Sequence, residues 1–482
     1  MTEIVIERDG LAVWLALTSL AVLLVYLLGI YFAMRAAATA RTSQGAVGWV
    51  VFLLSAPFFA VPLYLFLGQR KYQGYLVSRR ESAQIMAGIK EFAIKHAPTP
   101  GSTRIAFEPF EYCADLQACR GNGADILIDG DATFGAIFAA IDSAKTYILI
   151  QSYIIHDDDL GFELQRHLID ASKRGVMVRL MTDAVGSHKL PESYSDTLRD
   201  AGVQVVDKKT AKGPRFRFQL NFRNHRKSII IDGITGFIGG LNVGDEYMGR
   251  SEKFGHWRDT HLQIYGPIVS QLQLVFAEDW HWATNETLMR DVNWQVPHSD
   301  QDMTALIVAT GPGDASETGS LMFFSAIAEA KQRIWIASPY FIPDLDITTA
   351  LRHAALRGVD VRILIPDMAD HRLSWLAAYS YFDDVTEAGV RIFRYGDGFM
   401  HQKVFLVDDE LAAIGTTNLD NRSFRLNFEA MALFFDKRAA AEVDTMLRAD
   451  FKKAYEINET IDQQSAYIRY GAPVARLFSP LL

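Results

Sequence analysis

The strongest constraint on this chain is that its sequence repeats itself. Residues 144–153 (AKTYILIQSY) resemble residues 330–340 (AKQRIWIASPY), and residues 173–180 (KRGVMVRL) resemble residues 356–363 (LRGVDVRI). Each pair reads as a helix end followed by a buried, β-branched strand, with a glycine stop in the second pair. Asp183 and Asp367 close those strands, and Ala201-Gly202-Val203 matches Ala388-Gly389-Val390 in the next one. Strands alternate with helical patterns, so each half is expected to be an α/β sandwich with a mixed sheet. Two such halves in one chain predict a pseudo-twofold pair with any shared site at the junction.

The repeat also carries the chemistry. The first half contains His225-Arg226-Lys227, four residues, then Asp232; the second contains His401-Gln402-Lys403, four residues, then Asp408. With 12 histidines in the chain, one match to H-x-K-x4-D is weak evidence. Two matches, one per half, are not. Ten residues past each aspartate stands an asparagine, Asn242 or Asn418, after a small-residue turn (Gly239-Gly240 and Gly415-Thr416).

Residues two apart on a strand share a face, so His225 and Lys227 are expected to point one way, as are His401 and Lys403. Each pair then offers a titratable nitrogen and a fixed cation. Asp232 and Asp408 would turn to the opposite face, which predicts a structural role for them. Asn242 and Asn418 can donate amide hydrogens to phosphate oxygens, and the glycines allow close backbone approach. Two lysines and two asparagines suit charge gathering on a phosphodiester. No metal or other cofactor is required where lysines supply the positive charge. Two imidazoles, each able to be neutral or charged near neutral pH, suit one nucleophile and one acid/base.

The N-terminus is the compositional outlier. Residues 11–34 and 46–67 are charge-free apolar runs, the second holding Pro57 and Pro62. Each exceeds the roughly 20 residues that cross a bilayer. A transmembrane hairpin is expected over residues 1–70, and a signal peptide is disfavoured by the length of the first run and the presence of the second. Arg70, Lys71, Arg79 and Arg80 after the second run, against Arg35 and Arg41 between the runs and Arg8 before them, predict both termini in the cytoplasm. Residues 71–105 read as a polar connector, 106–300 as the first half with its motif segment at about 219–246, and 301–482 as the second with its segment at about 395–422.

The paired motif resembles the HKD signature of the phospholipase D superfamily, and the chain is most similar to bacterial cardiolipin synthases. The resemblance extends through the two spans, Trp257-Arg258-Asp259-Thr260, the stretch from Asn421 to Glu429 and the Phe478–Leu482 terminus. It implies a duplicated phospholipase D-like α/β sandwich behind the hairpin. It implies phosphatidyl transfer between two phosphatidylglycerol molecules, giving cardiolipin and glycerol through a phosphohistidine. His225 would be the nucleophile and His401 the acid/base, the exchanged roles being nearly as well supported by the near symmetry. Asp259 and Glu429 stand where family members hold a carboxylate near the imidazoles. The implied partners are membrane phospholipid and the bilayer of the bacterial inner membrane, with the catalytic region in the cytoplasm.

Other features constrain less. A net charge of −9 argues against a nucleic-acid partner. Hydrolytic phospholipase D, a nuclease and an inactive scaffold are the competing readings, the last opposed by intact His, Lys and Asn in both halves. Lys208, Lys209, Lys212, Arg215 and Arg217, interleaved with Phe216 and Phe218, fit either a solvated loop or a patch for anionic lipid. The tail from Tyr467 fits core packing or membrane contact equally. Cys113 and Cys119 are read as free thiols, and oligomeric state is left open.

Overall fold

The computed structural model describes the chain except residues 1, 41, 69–95, 100, 208–221 and 315, and the side chains of residues 2–12 and 66. Most of the expected connector, and the basic stretch from Lys208 to Arg217, lie outside the described residues, as do Arg41, Arg70, Lys71, Arg79 and Arg80. The rest falls into two units.

The N-terminal unit is helical. Its first helix runs Thr2–Thr39, longer at both ends than the apolar run, and Val13–Thr39 is long and apolar enough to cross a membrane. The second apolar run is not the single helix expected. It forms Ser43–Ser55 and Pro57–Leu67, broken at Ala56 (φ −138°, ψ 58°). Pro57 has no N–H to continue the ladder and its ring biases the preceding residue away from helical angles. Leu53, Ala60, Val61 and Tyr64 pack on Phe32, Ala33 and Ala36 of the first helix, the antiparallel contact a hairpin needs.

In the α/β unit the β-branched and aromatic runs become strands. The first half contributes β1 (Cys119–Ile128), β2 (Tyr147–Ser152), β3 (Met177–Thr182), β4 (Gln204–Val206), β5 (Arg223–Asn224), β6 (Ser228–Ile231), β7 (Thr235–Gly239), β8 (Trp257–Arg258) and β9 (Thr260–Tyr265). The second contributes β10 (Met303–Thr310), β11 (Arg333–Ala337), β12 (Phe341–Ile342), β13 (Asp360–Pro366), β14 (Arg391–Tyr395), β15 (Phe399–Met400), β16 (Val404–Val407), β17 (Leu411–Gly415), β18 (Leu419–Asp420), β19 (Asn427–Phe434) and β20 (Ala454–Glu456).

Strand order makes the duplication explicit. The first half runs β4-β3-β2-β6-β7-β9-β1 and the second β14-β13-β11-β16-β17-β19-β10. In each, the first three strands are parallel and the rest antiparallel. The halves join edge to edge where β1 pairs antiparallel with β10. Asn122 stabilises that seam, its buried amide donating to the carbonyls of Cys119 (2.6 Å) and Met303 (3.1 Å) while its oxygen accepts from Ile268 N–H (2.7 Å).

Helices cover both faces, and the core lies between them and the sheet. The long helix Pro267–Thr284 presents Leu272, Phe276 and Trp280 to one such core. The short strands matter most for the site. β5 pairs with β19 of the other half, and β15 with β8 of the other half, so the chain entering each H-x-K segment is stitched across the pseudo-twofold.

Candidate active site

That crossed stitching sets the geometry. His225 N–H donates to the Phe428 carbonyl at 2.9 Å, and His401 N–H to the Arg258 carbonyl at 2.8 Å. Each histidine therefore sits one residue from the other half's carboxylate. His225 Nδ1 meets Glu429 Oε2 at 3.0 Å, and His401 Nδ1 meets Asp259 Oδ2 at 2.9 Å. With Nδ1 tied to a carboxylate, Nε2 of each imidazole is the nitrogen left for substrate.

The structure corrects the strand reading of the motifs. The ladders begin only at Ser228 and Val404. His225, Lys227, His401 and Lys403 precede them, because the histidine N–H groups are spent on the crossed contacts. The lysines nevertheless fold back: Lys227 Nζ donates to the His225 carbonyl at 2.8 Å, and Lys403 Nζ to that of His401. Asp232 and Asp408 are not on strands either. Both are turn residues with φ of 53° and 50°. Asp232 accepts the N–H groups of Lys145, Thr146 and Tyr147, plus the Thr146 hydroxyl at 2.6 Å. Asp408 accepts those of Lys331, Gln332 and Arg333, plus the Arg104 guanidinium. They tie the motif strand to the strand beside it and do not touch the imidazoles.

Asn242 and Asn418 are both buried. Asn242 Oδ1 accepts from Ile154 N–H at 3.3 Å, which turns its amide nitrogen the other way. Asp183 behaves as a turn cap, accepting from Val185 and Gly186 N–H, and it also holds Asn224 N–H at 2.9 Å, just ahead of His225.

Burial governs the electrostatics. His225 and His401 are both pushed below the usual imidazole range by burial, His401 well below it. For His225 the Glu429 carboxylate works against that push. For His401 the Lys403 ammonium, 2.9 Å from Nδ1, adds to it. Lys227 is pulled down to about 7 and Lys403 to about 8, again chiefly by burial, and the charges of the two lysines act on one another and on both imidazoles. The four motif side chains thus share one electrostatic neighbourhood. The carboxylates differ. Burial raises Asp259. In Glu429 burial is outweighed by His225, Lys227 and the Thr416 hydroxyl (2.6 Å), and the group ends below its usual range.

Several neighbours were not legible in the motifs. Tyr153 packs edge-on to His225 with ring centroids 4.8 Å apart, and Trp257 against His401 at 5.2 Å. A third imidazole, His261, is buried within electrostatic reach of Asp259 and Lys227 and is lowered to about 4, chiefly by burial, so it stays neutral. Only its sequence position, two after Asp259, hinted at it.

The sequence profile described as "Cardiolipin synthase, PLD-like domain" matches residues 137–280 and 323–451. Cardiolipin synthase A of Pseudomonas entomophila is 46% identical over 95% of this chain and 97% of its own length. The same enzyme of Pseudomonas fluorescens is 46% identical over the same shares. Among solved structures, the phosphatidylserine synthase of Haemophilus influenzae matches with a TM-score of 0.57 at 14% identity, over 74% of this chain and 95% of its own, which shows a shared fold. Taken with the paired motif and the duplicated sheet, these likenesses establish that the chain belongs to the cardiolipin synthase family of phospholipase D-like proteins.

Proposed function

We propose that this site transfers a phosphatidyl group between two phosphatidylglycerol molecules, making cardiolipin and releasing glycerol. The observation that carries it is the pair of crossed imidazole–carboxylate contacts, with two buried ammonium groups in the same electrostatic neighbourhood. In the first step His225 Nε2 attacks phosphorus, the bond from phosphorus to the glycerol oxygen breaks, and His401 gives that oxygen a proton. In the second, a head-group hydroxyl of another phosphatidylglycerol attacks phosphorus, its proton passes to His401, and the P–N bond breaks. Lys227, Lys403, Asn242 and Asn418 hold the non-bridging oxygens, where stabilisation matters most as charge gathers. Glu429 and Asp259 fix the imidazole tautomers, and Asp232 and Asp408 keep the motif strands in place.

The electrostatics favour a second reading with the imidazole roles exchanged. Lys403 Nζ stands 2.9 Å from His401 Nδ1, whereas Lys227 Nζ is turned to the His225 carbonyl, so an ammonium opposes the charged form of His401 more directly, and a neutral imidazole is the nucleophile. Quenching the reaction with labelled substrate and mapping the phosphorylated histidine decides between them.

We further read residues 1–70 as a two-pass anchor in the bacterial inner membrane, with the α/β unit in the cytoplasm. The exposed apolar helix Val13–Thr39 supports membrane association. Tethering confines the site to the plane where both lipids are concentrated, so acceptor lipid competes with water for the intermediate. The test uses whole protein in phosphatidylglycerol vesicles. Cardiolipin and free glycerol in equal amounts is the expected result, lost in His225→Ala and in His401→Ala. Phosphatidic acid as the main product would make the enzyme a hydrolase instead.

A further inference from the structure

The tail from Tyr467 turns its small residues inward and its large apolar residues outward. Helix Ala466–Arg476 packs on helix Arg372–Thr386 through buried Ala472 and Ala475. Gly471 lies so close that an added Cβ would stand 2.9 Å from Leu376 Cδ2. Arg476 Nη1 donates to the Ser380 carbonyl at 2.8 Å, and the Tyr381 hydroxyl donates to Ser479 Oγ at 2.8 Å, which holds the helix at one roll angle.

The outer face reverses what a soluble helix shows to water. Tyr467, Tyr470, Val474 and Leu477 recur at steps of three, four and three, which places them on one side. All four are exposed, Tyr470 at 65% and Leu477 at 78%, and exposed Phe478 follows them. Such a row is not the scattered exposure of single apolar residues that any surface has. The charge beside it has one sign: residues 466–478 hold Arg469 and Arg476 and no acidic side chain. Arg476 also meets Asp384, on the helix beneath, at 3.2 Å. Arg469 lies over the Tyr470 ring at 5.0 Å, donates to its hydroxyl at 2.9 Å and meets no carboxylate among the described residues.

The tail is also fastened near the second motif. Arg422 N–H donates to the Leu482 carbonyl at 2.8 Å, and its Nη1 to that of Leu481 at 3.0 Å. Arg422 belongs to helix Asn421–Arg425, which follows β18 and thus comes directly after the Asn418 turn.

We propose that this outer face docks on a bilayer surface, its apolar stripe sunk at the boundary of head groups and acyl chains and Arg469 on the phosphate of an anionic lipid. Three observations select a bilayer over another occupant. An apolar stripe with tyrosines and arginines is the composition of a helix lying in the interface. A guanidinium without a carboxylate complements anionic phospholipid. Val13–Thr39 of the same chain is long and apolar enough to cross a membrane, so a bilayer is at hand. The inference goes beyond the transfer reading and rests on membrane association alone. Through Arg422 the docked tail ties the asparagine turn to the lipid surface.

Depth-dependent quenching in the whole protein tests this. Cys113 and Cys119 are buried, so a fluorescent label goes to an introduced cysteine. Tyr470→Cys and Leu477→Cys carry the label on the stripe, and Phe162→Cys carries it on an exposed apolar position of the other half. In phosphatidylglycerol vesicles containing lipid spin-labelled near the head group, both stripe positions are expected to be quenched about 2-fold or more, as at interfacial depth, and position 162 is not. Equal emission at all three positions overturns the proposal. So does disulfide formation between the stripe cysteines of two copies in place of quenching. Tyr470→Glu and Leu477→Glu are expected to lower kcat/KM on vesicle phosphatidylglycerol by about 10-fold, as for one apolar side chain kept in water. Turnover of short-chain phosphatidylglycerol, supplied as monomers to detergent-solubilised enzyme, should be unchanged. Equal losses on both substrates assign the stripe to folding and overturn the proposal. If the wild type makes no cardiolipin from either lipid, the transfer reading fails and the quenching still decides the docking.

Discussion

The two halves share one strand order and secure their motifs by different means. In the first half the middle residue of H-x-K is Arg226, which reaches the buried Asp279 at 2.7 Å. In the second it is Gln402, which reaches the corresponding Asp450 at 2.9 Å and leaves the ionic contact to Arg258, which comes from the first half. The turn before the asparagine differs too. At Gly240 an added Cβ would stand 2.0 Å from Asp259 Oδ1, so only glycine leaves room for that carboxylate. The matching residue is Thr416, whose hydroxyl donates to Glu429. One half makes space for a short carboxylate; the other supplies a donor to a long one. Duplication fixed the fold, and divergence then gave the imidazoles unequal partners.

That inequality sets the largest expected effects. Both carboxylates hold an imidazole, but Glu429 also takes the Thr416 hydroxyl and Asn427 Nδ2 (3.1 Å) and ends below its usual range, whereas Asp259 also takes Thr260 N–H (2.8 Å) and a long Trp257 contact (3.5 Å) and is raised by burial. Glu429→Gln should cost more turnover than Asp259→Asn, with losses on the order of 10²- to 10⁴-fold, as when a histidine loses its orienting carboxylate. Steady-state cardiolipin formation measures both. Equal losses would make the two pairs interchangeable.

The lysines sharpen the same contrast through pH. Burial holds Lys227 at about 7 and Lys403 at about 8. The ammonium forms exist below those values and are lost as pH rises through them, so anion affinity falls first near 7 and again near 8. Vanadate binding to the wild type should weaken by up to about 10-fold per pH unit beyond each step. Lys227→Arg, which keeps its charge, should move the onset to near 8, while Lys403→Arg should leave it near 7. An onset unmoved by either substitution would remove the lysines from anion binding.

Gly240→Ala tests the turn. The new methyl forces the Asp259 carboxylate to shift, which should cost about 1–3 kcal/mol of stability and lower kcat more than it changes KM. Thr416→Ala adds no clash and leaves buried Glu429 one donor short, at about 1–2 kcal/mol. Thermal unfolding with parallel kinetics separates the two. A harmless Gly240→Ala would show that Asp259 has slack.

How much of this the sequence carried follows from what is local. H-x-K-x4-D, the asparagine turn and the repeated strand signatures are short-range, and from them the two α/β halves with mixed sheets could be read, though not the strand order. The crossing was not legible, because β5 pairs with β19 and β15 with β8 across some 140–200 residues and each is only two residues long. Period-two alternation placed His225 and Lys227 on a strand that in fact starts at Ser228, since the crossed contact takes the histidine N–H first. Pro57 and Pro62 were both visible, yet only Pro57 breaks a helix; Pro62 stays inside Pro57–Leu67. The stretches that hold Tyr153, Trp257 and Thr416 stood out in the sequence, but only tertiary packing sets Tyr153 and Trp257 against the imidazoles and Thr416 on Glu429.

The anchoring aspartates offer a smaller test. Asp232 takes its fourth donor from the Thr146 hydroxyl, and Asp408 takes its own from Arg104, because Gln332 stands where the first half has Thr146. Arg104→Met should therefore destabilise the chain by about 1–2 kcal/mol, and adding Gln332→Thr should restore part of it by rebuilding the first half's solution. Absence of rescue would mean that Arg104 acts through its contacts to Glu329, the carbonyl at 2.9 Å and the carboxylate at 3.5 Å.

The smallest effect is expected where the halves are identical. Gly175 and Gly358 follow matching helices with the same φ of 87°, and nothing lies within 4 Å of an added Cβ at either. Sterics are thus absent and only the left-handed backbone matters, which costs an L-residue roughly 1 kcal/mol. Gly175→Ala and Gly358→Ala should lower stability equally, add in the double variant and leave turnover alone. Chemical denaturation of the three variants reads this directly. An unequal pair would mean that the asymmetry around the imidazoles reaches the outer turns, so that the halves differ in rigidity as well as in their choice of partners.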